Sequence, residues 1–268
     1  MSLKSIVQKT LPTPIRERLR PIYRRLFQKS FVPDLAIGEF AGFQIAYRTH
    51  SHDKLLIDVC LVGENFLSQL PEYRLEADHT IIDVGAHIGA FAVATASRLT
   101  SGRLFAVEAC LETFNLLRIN VALNGLKNVV PVHVALSDRD GECTLYYDTD
   151  GWGHSVVANF AGRGETVPAL ALSSFLDANG ISSCHLMKLN CEGAEFPILL
   201  GAAPEVLRRF GVILTMYHAD LYPNSSLEAL VAHFRDSGFQ VDVRNRETGV
   251  NRGWLVATNP SFAPQPPR

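Results

Sequence analysis

A predicted strand, a glycine turn and a predicted helix follow one another without a break at residues 81–93, IIDVGAHIGAFAV. The β-branched apolar residues before Gly85 predict a buried strand over 80–84, and the apolar run that follows predicts a helix over 88–99. In an open parallel sheet, ligands bind at the carboxyl ends of strands, where glycines let the backbone approach a ligand. This segment therefore predicts an α/β chain with a ligand site at its glycine turn.

The spacing of the glycines separates two classes of ligand. A dinucleotide loop has the pattern G-x-G-x-x-G/A, and its middle glycine lets a diphosphate approach the backbone. Counted from Gly85, that place is taken by His87, whose ring would obstruct a diphosphate. The loop fits D-x-G-x-x-x-G with Gly89 instead. It predicts that N–H groups at the helix start receive the carboxylate of an amino-acid moiety, and that Asp83 pairs with its ammonium, directly or through water.

Glu108 ends the next predicted strand, over 103–107, and lies 19 residues after Gly89. An acidic residue at this place accepts hydrogen bonds from ribose hydroxyls. The feature predicts a ribose-bearing cofactor but is shared with nicotinamide sites. A nicotinamide-dependent dehydrogenase is therefore kept as an alternative, against which His87 argues.

Strands and helices alternate along most of the chain, which predicts a doubly wound, mostly parallel sheet. The predicted strands, besides those above, are 43–47, 55–59, 129–134, 144–147, 185–189, 212–217, 239–243 and 254–258. The predicted helices are 64–70, 88–99, 111–123, 170–178, 194–207 and 226–237. The last two strands are predicted to form an antiparallel hairpin.

Three segments are predicted along the chain: a basic N-terminal helical extension over 1–37, one domain over 38–259 and a flexible tail over 260–268. Residues 1–30 carry eight Lys and Arg against one acid, with apolar residues at helical spacing interrupted by prolines. We expect this segment to dock on the domain with its charges in solvent. Contact with an anionic membrane or a partner is the alternative.

Composition excludes several classes of function. The chain beyond residue 30 carries a net charge of −9, which is a poor match for a nucleic-acid groove. The five cysteines are scattered without a C-x-x-C pair, so we expect neither a disulfide framework nor a zinc site, and a reducing, cytoplasmic setting. No apolar run approaches the roughly 18 residues that span a bilayer.

Four segments in order carry a family resemblance: IIDVGAHIGAFAV, then VEACLETFNLLRINVALNGLKNV, VALSD and KLNCEGAEFPILLGA. Together they resemble the motifs of FkbM-family methyltransferases over about residues 64–259. The resemblance implies a Rossmann-like class I fold with a seven-stranded sheet, and S-adenosylmethionine as cofactor. It also implies transfer of a methyl group to a hydroxyl of a small metabolite, sugar or glycan. The cofactor positions that it implies are Asp83, Gly85, His87, Gly89 and Glu108, with Leu136 and Ser137 in the segment that holds adenine.

The sequence departs from the family pattern at two functional positions. Asn190 stands where the family commonly has Asp, and an amide can neither take a proton nor bind a divalent cation as well. Either this position only orients substrate, or activity is altered. The second possibility keeps a catalytically impaired, cofactor-binding adaptor as an alternative function. His87 stands where Asn is common, and we expect little consequence because both side chains are polar.

The candidate catalytic residues follow the two strands that would border the transferred methyl group. His218 is our first choice for the base that takes the hydroxyl proton, because its pKa suits neutral pH. Asn190 and Glu192 are predicted to orient substrate, with Glu192 as a second base. Glu195 is predicted to stabilise a helix N-terminus.

The segment 151–155, GWGHS, is a weaker candidate for a substrate lid. Trp152 could stack on a sugar or an apolar ring, and His154 is a reserve base. The alternative is a loop whose tryptophan packs back on the domain. RNA methylation is disfavoured by the acidic body and by the lack of an N-P-P-[YF] tetrapeptide. The identity of the acceptor and the oligomeric state have no readable sequence signal.

Overall fold

The computed structural model describes residues 35–62, 66–148, 153–159, 162–222, 226–247 and 249–264. Most of the predicted N-terminal extension lies outside these residues, as do Glu64, at the start of the predicted helix over 64–70, and Trp152 of the predicted lid.

Twelve strands and seven α-helices make up the described part of the chain. The strands are β1 Leu35–Phe40, β2 Phe43–Arg48, β3 Thr80–Val84, β4 Arg103–Glu108, β5 Val129–His133, β6 Ala135–Ser137, β7 Gly141–Tyr146, β8 Gly164–Ala171, β9 Cys184–Leu189, β10 Phe210–His218, β11 Gln240–Glu247 and β12 Arg252–Thr258. The helices are α1 Asp53–Ile57, α2 Ala90–Ala96, α3 Leu111–Leu123, α4 Leu172–Ala178, α5 Glu195–Leu200, α6 Pro204–Leu207 and α7 Leu227–Asp236, with a π-helix at Asp58–Val62 and a 3₁₀ helix at Phe66–Gln69.

The main sheet has seven strands in the order β11-β12-β10-β9-β3-β4-β5. Its five strands from β10 to β5 are parallel, while β12 pairs antiparallel with both β10 and β11. The predicted doubly wound sheet with a C-terminal hairpin is therefore confirmed. Two smaller sheets, β1-β2 and β6-β8-β7, lie outside it.

Each face of the central sheet buries its own hydrophobic cluster, because successive side chains of a strand point to opposite faces. Leu186 of β9 and Leu214 of β10 belong to the cluster that also contains α2 and the β1-β2 hairpin. Their neighbours Met187 and Ile213 belong to the cluster that contains α4, α5 and α7. The sheet is thus covered on both sides, which leaves its carboxyl edge for a ligand.

The predicted strand at 55–59 is wrong. The chain forms α1 there and continues into the π-helix, and it buries Asp53, Ile57 and Cys60, which are spaced by three or four residues. A short apolar run does not by itself distinguish a strand from a helix.

A second difference is β8, which sequence reasoning missed. Its residues alternate partly between exposed and buried, but Pro168 lies in the middle, and a proline argues against a strand. Here the proline lies opposite Glu142 of β7, in a small sheet outside the main one. The predicted helix over 170–178 accordingly starts only at Leu172.

Several predicted boundaries also move. The predicted division between 37 and 38 falls inside β1, and the helix predicted over 194–207 is split into α5 and α6. The tail predicted as flexible begins with a packed turn, since the ring of Phe262 lies 5.5 Å from that of His185.

Asn120 of α3 joins the β1-β2 hairpin to the main domain. The side chain is fully buried; its Oδ1 accepts from the N–H of Ala46 at 2.7 Å, and its Nδ2 donates to the carbonyls of Ala46 and Ile88. One amide therefore satisfies three backbone groups, one of which belongs to the glycine loop. The hairpin is held in place by a specific contact as well as by apolar packing.

We expect Asn120→Ala to lower the free energy of unfolding by about 3 kcal/mol, because it leaves buried backbone groups without partners. Urea denaturation measures this. Asn124→Ala is the matched control: Asn124 binds Gln44 in the same way but in an exposed setting, so about 1 kcal/mol is expected. Equal losses in the two variants would contradict the role given to Asn120.

Candidate active site

A cavity of about 480 Å³ opens at the carboxyl ends of the central parallel strands. The glycine loop after β3 forms its floor, and the ends of β4, β9 and β10 form its sides. The β1-β2 hairpin, α1 and the π-helix add one more wall, which carries Arg48, Leu56 and Cys60. The volume is in the range of small-molecule and cofactor sites, about 300–1,000 Å³.

The glycine turn fits this place because nothing larger would. Gly85 has a φ of 72°, and a Cβ there would collide with the backbone carbonyl oxygen of Asn190. Gly89 has a φ of 86° and caps α2, and a Cβ there would collide with Leu117 of α3. Both glycines are needed for conformation and close packing, and Gly85 alone also lines the cavity.

Asp83 has a different partner from the predicted one. Its carboxylate is fully buried, and Oδ1 accepts from Nζ of Lys188 at 2.8 Å. Lys188 also donates to the carbonyl of Gly85 at 3.2 Å, and its ammonium lies 4.6 Å from the ring centre of Phe66. Lys188 lines the cavity and Asp83 does not. The ammonium that pairs directly with Asp83 is therefore that of a lysine of the chain.

Most N–H groups of the glycine loop donate within the protein. Those of Gly85 and Ala86 donate to the carbonyl of Val107, and that of Gly89 donates to Ala86. The N–H of His87 donates to Oε2 of Glu108 at 2.9 Å. The helix predicted from residue 88 in fact begins two residues later, at Ala90. The expected carboxylate cradle therefore needs donors besides these groups.

Glu108 lies at the end of β4 and lines the cavity, as its predicted role requires. Its two carboxylate oxygens accept from the N–H groups of His87 and Cys110, at 2.9 and 2.8 Å. Burial raises its pKa, while these two hydrogen bonds oppose the shift. Each oxygen keeps a second lone pair for a ribose hydroxyl.

His87 is more than a polar substitute for asparagine. Its Nε2 lies 3.4 Å from Oδ1 of the buried Asp53 and 3.3 Å from the guanidinium of Arg48. Burial lowers its pKa to about 4, with Asp53 opposing and Arg48 adding to the shift, so the ring is neutral at pH 7. The glycine loop is thereby attached to the N-terminal hairpin, a contact for which the sequence carried no signal.

His218 ends β10 at the opposite side of the cavity, with 1% of its surface exposed. Its Nδ1 lies 3.2 Å from Oε1 of Glu195, and its Nε2 lies 3.6 Å from Oε2 of Glu192. Burial opposes protonation, but the hydrogen bond and charge of Glu195, with the charge of Glu192, outweigh it and raise the pKa of His218. The structure thus brings together two of the predicted catalytic residues, His218 and Glu192, whose roles stay predictions.

Glu195, predicted to stabilise a helix N-terminus, lies in the first turn of α5 and makes two kinds of contact. Its two oxygens accept from the N–H groups of Cys191 and Gly193, at 2.7 and 2.8 Å, so the carboxylate closes the loop between β9 and α5. The same carboxylate faces Nδ1 of His218. Sequence reasoning missed this contact because Glu195 and His218 come from elements 23 residues apart.

Asn190 and Glu192 belong to the loop that follows β9, and this loop lines the cavity. Within the described residues, Oδ1 of Asn190 is buried and has no hydrogen-bond partner, which is costly unless a ligand donates to it. Glu192 has a φ of 53°, a strained value for a residue with a side chain, and burial raises its pKa.

The described part of the predicted lid, 153–155, lies against this loop. Ser155 is fully buried and donates from Oγ to the carbonyl of Glu192 at 2.7 Å. A Cβ at Gly153 would lie 2.5 Å from Cγ of Glu192. His154 lines the cavity, and its Nδ1 accepts from the N–H of Asp148. The reserve base therefore borders the cavity.

The end of the cavity near Glu108 is apolar. Val107, Val134, Leu136 and Leu145 line it. Leu136 therefore lines the cavity, and its contact with adenine stays a prediction. Ser137 is outside the wall and donates to Asp138 instead.

Residues that sequence reasoning missed complete the wall. They are Arg48 and Lys188 at the glycine loop, and Met216, Arg252 and Trp254 near His218. Lys188 had a weak signal, because it is a charged residue inside an apolar strand, two positions before Asn190. Arg48 had none, because it precedes the segment that carries the motifs.

The comparison with protein families gives one match, to the methyltransferase FkbM domain, over residues 83–241, which is more than half of the chain. The chain belongs to the FkbM methyltransferase family. Its sheet is that of a class I methyltransferase, as predicted. The family transfers methyl groups from S-adenosylmethionine, and this argues against the dehydrogenase alternative.

Solved structures of methyltransferases resemble this FkbM protein. A precorrin-6y C5,15-methyltransferase from Geobacter metallireducens is 17% identical with a TM-score of 0.45, over 74% of this chain and 89% of that chain. The methyltransferase FkbM from Methylobacillus flagellatus is 12% identical with a TM-score of 0.47, over 95% of this chain and 57% of that chain. A methyltransferase from Aquifex aeolicus is 15% identical with a TM-score of 0.40, over 72% and 88%. The comparison with curated proteins gives no match.

Within the part of the chain that the structure describes, no helix is long and apolar enough to cross a membrane. The same residues contain no group of three or more His, Cys, Asp and Glu side chains that could hold a metal ion.

We expect Gly85→Ala to lower the free energy of unfolding by about 3 kcal/mol and to weaken binding of S-adenosylhomocysteine, because the added methyl group pushes the loop away from β9. Gly125→Ala is the control, since Gly125 also has a positive φ, 64°, but faces open space. It should cost about 1 kcal/mol and leave binding unchanged. Denaturation and calorimetric titration measure the two effects, and equal effects in the two variants would refute the close approach at Gly85.

Proposed function

We propose that this protein is an O-methyltransferase that acts on a hydroxyl of a small metabolite, sugar or glycan, with His218 as the base. The supporting observation is the histidine itself. It ends a strand at the cavity, and a buried carboxylate holds one of its ring nitrogens while the other faces Glu192. Such a carboxylate–histidine pair suits removal of a proton from a weakly acidic group such as a hydroxyl.

The residues present fit S-adenosylmethionine. The apolar end formed by Val107, Val134 and Leu136 suits adenine, and Glu108 at its border suits the ribose hydroxyls. The buried, unpartnered Oδ1 of Asn190 offers an acceptor to the amino-acid moiety or to the hydroxyl of the methyl acceptor. When bound, the cofactor supplies a methyl group that is already activated on a positively charged sulfur.

The chain then has two tasks, alignment and proton transfer. The cavity walls would hold the acceptor beside the cofactor, and such alignment supplies much of the rate enhancement of a displacement. Because a carboxylate can only accept, Nδ1 of His218 carries the hydrogen that points to Glu195, and Nε2 of the neutral ring is left as the base. Nε2 takes the hydroxyl proton, and the charge of Glu192 stabilises the resulting imidazolium.

The direct test is transfer of a radiolabelled methyl group to a panel of hydroxylated metabolites, sugars and glycans, with RNA and amines as further acceptors. We expect a methyl ether as product. Binding of S-adenosylhomocysteine without transfer to any acceptor would favour the impaired adaptor instead, and transfer to nitrogen or to RNA would refute the proposal.

His218→Asn is expected to lower turnover by about 100-fold or more, the size of general-base catalysis, and to leave the affinity for S-adenosylhomocysteine within about threefold. His233→Asn is the control, because His233 lies in α7, outside the cavity wall, where its Nε2 contacts the carbonyl of Ala202. Unchanged turnover in His218→Asn would assign His218 a structural role.

Glu195→Gln is expected to lower the pKa of His218, because it removes the charge that favours the imidazolium. A neutral base works above its pKa, so the acidic limb of the pH–rate profile should move to lower pH. NMR titration of the His218 ring measures the pKa without turnover. A His218 pKa equal to that of the parent would show that Glu195 only closes its loop.

A further inference from the structure

Three long cationic side chains line the cavity: Arg48, Lys188 and Arg252. Lys188 is enclosed, with 3% of its side chain exposed, and its ammonium is held by Asp83 and by the carbonyl of Gly85. Arg252 lies near His218, on the side of the cavity that we call the acceptor half because the proposed base lies there, and forms a two-pronged contact with Asp220. Arg48 lies on the other side, next to His87 of the glycine loop, which we call the cofactor half.

The glycine loop itself is a poor receptor for a carboxylate. The N–H groups of its residues 85, 86, 87 and 89 donate to acceptors of the protein. A carboxylate bound beside these four residues would find few backbone donors, and no positive charge, unless a side chain supplied them. A buried, uncompensated carboxylate is costly, so a cation is needed there.

The guanidinium of Arg48 is oriented towards this place. Its Nε and one terminal nitrogen, Nη2, donate to the two oxygens of the buried Asp53, at 3.0 and 2.8 Å, which fixes the plane of the group. The other terminal nitrogen, Nη1, donates to the hydroxyl of Thr113 at 3.3 Å, and Thr113 also lines the cavity. The carboxylate of Glu112 lies 3.6 Å from the same nitrogen of Arg48. Because Glu112 is mostly exposed, this ion pair is weak.

We propose that Arg48 binds the carboxylate of the methionine moiety of the cofactor through Nη1, with Asp53 and His87 as residues that position the guanidinium. The proposal rests on the proposed function, since it assumes S-adenosylmethionine as the ligand. It assigns a cofactor-binding role to the N-terminal hairpin, which precedes the matched family domain. Arginine suits this role because its fixed fork of donors matches a carboxylate.

The test compares S-adenosylmethionine with decarboxylated S-adenosylmethionine, which lacks only the carboxylate, by calorimetric titration. Removing Arg48 alone would leave Asp53 buried and unpaired, so the main variant is the neutral pair Arg48→Gln/Asp53→Asn. Asp53→Asn alone keeps the guanidinium. Arg252→Gln/Asp220→Asn is the matched pair in the acceptor half.

We expect the Arg48→Gln/Asp53→Asn variant to bind S-adenosylmethionine about 10- to 100-fold more weakly than Asp53→Asn does, the size of a charge-assisted contact. Affinity for the decarboxylated compound should differ by less than about threefold between them, and the Arg252 pair should change neither affinity. Arg48→Lys, which keeps the charge for Asp53, should lose part of the preference for the carboxylate.

Equal weakening of both compounds would show that Arg48 only supports the fold, and unchanged affinities would show that the carboxylate binds elsewhere. Either result overturns the proposal for Arg48 while the cofactor assignment stands. Failure of the parent protein to bind either compound would refute the proposed function itself, and the proposal for Arg48 with it.

Discussion

The buried ion pair between Asp83 and Lys188 is the contact on which the site depends. The two residues face each other on adjacent central strands, and Lys188 also binds the carbonyl of Gly85. Loss of either partner would leave an uncompensated charge in the core, at a cost of about 3–5 kcal/mol. The pair therefore fixes the position of the glycine turn relative to the end of β3, and the cavity lies next to that turn.

The loops that follow β3 and β9 lie side by side at this edge of the sheet. Each contains a non-glycine residue whose backbone is in the left-handed conformation. His87 has a φ of 54° and Glu192 a φ of 53°. Each conformation costs about 1–2 kcal/mol and persists because the neighbouring structure holds it. Glu108 holds the N–H of His87, and Ser155 holds the carbonyl of Glu192. This backbone conformation directs the side chain of His87 towards the N-terminal hairpin and that of Glu192 towards His218.

Much of the fold could be predicted from the sequence because its signals are local. The buried strand before Gly85 and the helix that ends before Gly125 follow from periodicity and turn residues, and α3 has the predicted bounds. The run at 55–59 was wrongly predicted as a strand, because five residues are too few to distinguish the 3.6-residue period of a helix from the two-residue period of a strand. Pro168 concealed β8 because its tolerance in a strand depends on the sheet around it.

The sequence by itself determined the class of this protein: the order of most of its strands and helices, its family, and the positions of Gly85, Glu108 and His218 at strand ends. These follow from patterns within short segments. Only the tertiary structure decided which polar groups pair: Lys188 with Asp83, Glu195 with His218, and Arg48 with His87 of the glycine loop. Such pairs join residues 23–105 positions apart, and their partners are chosen by packing, which no local pattern records.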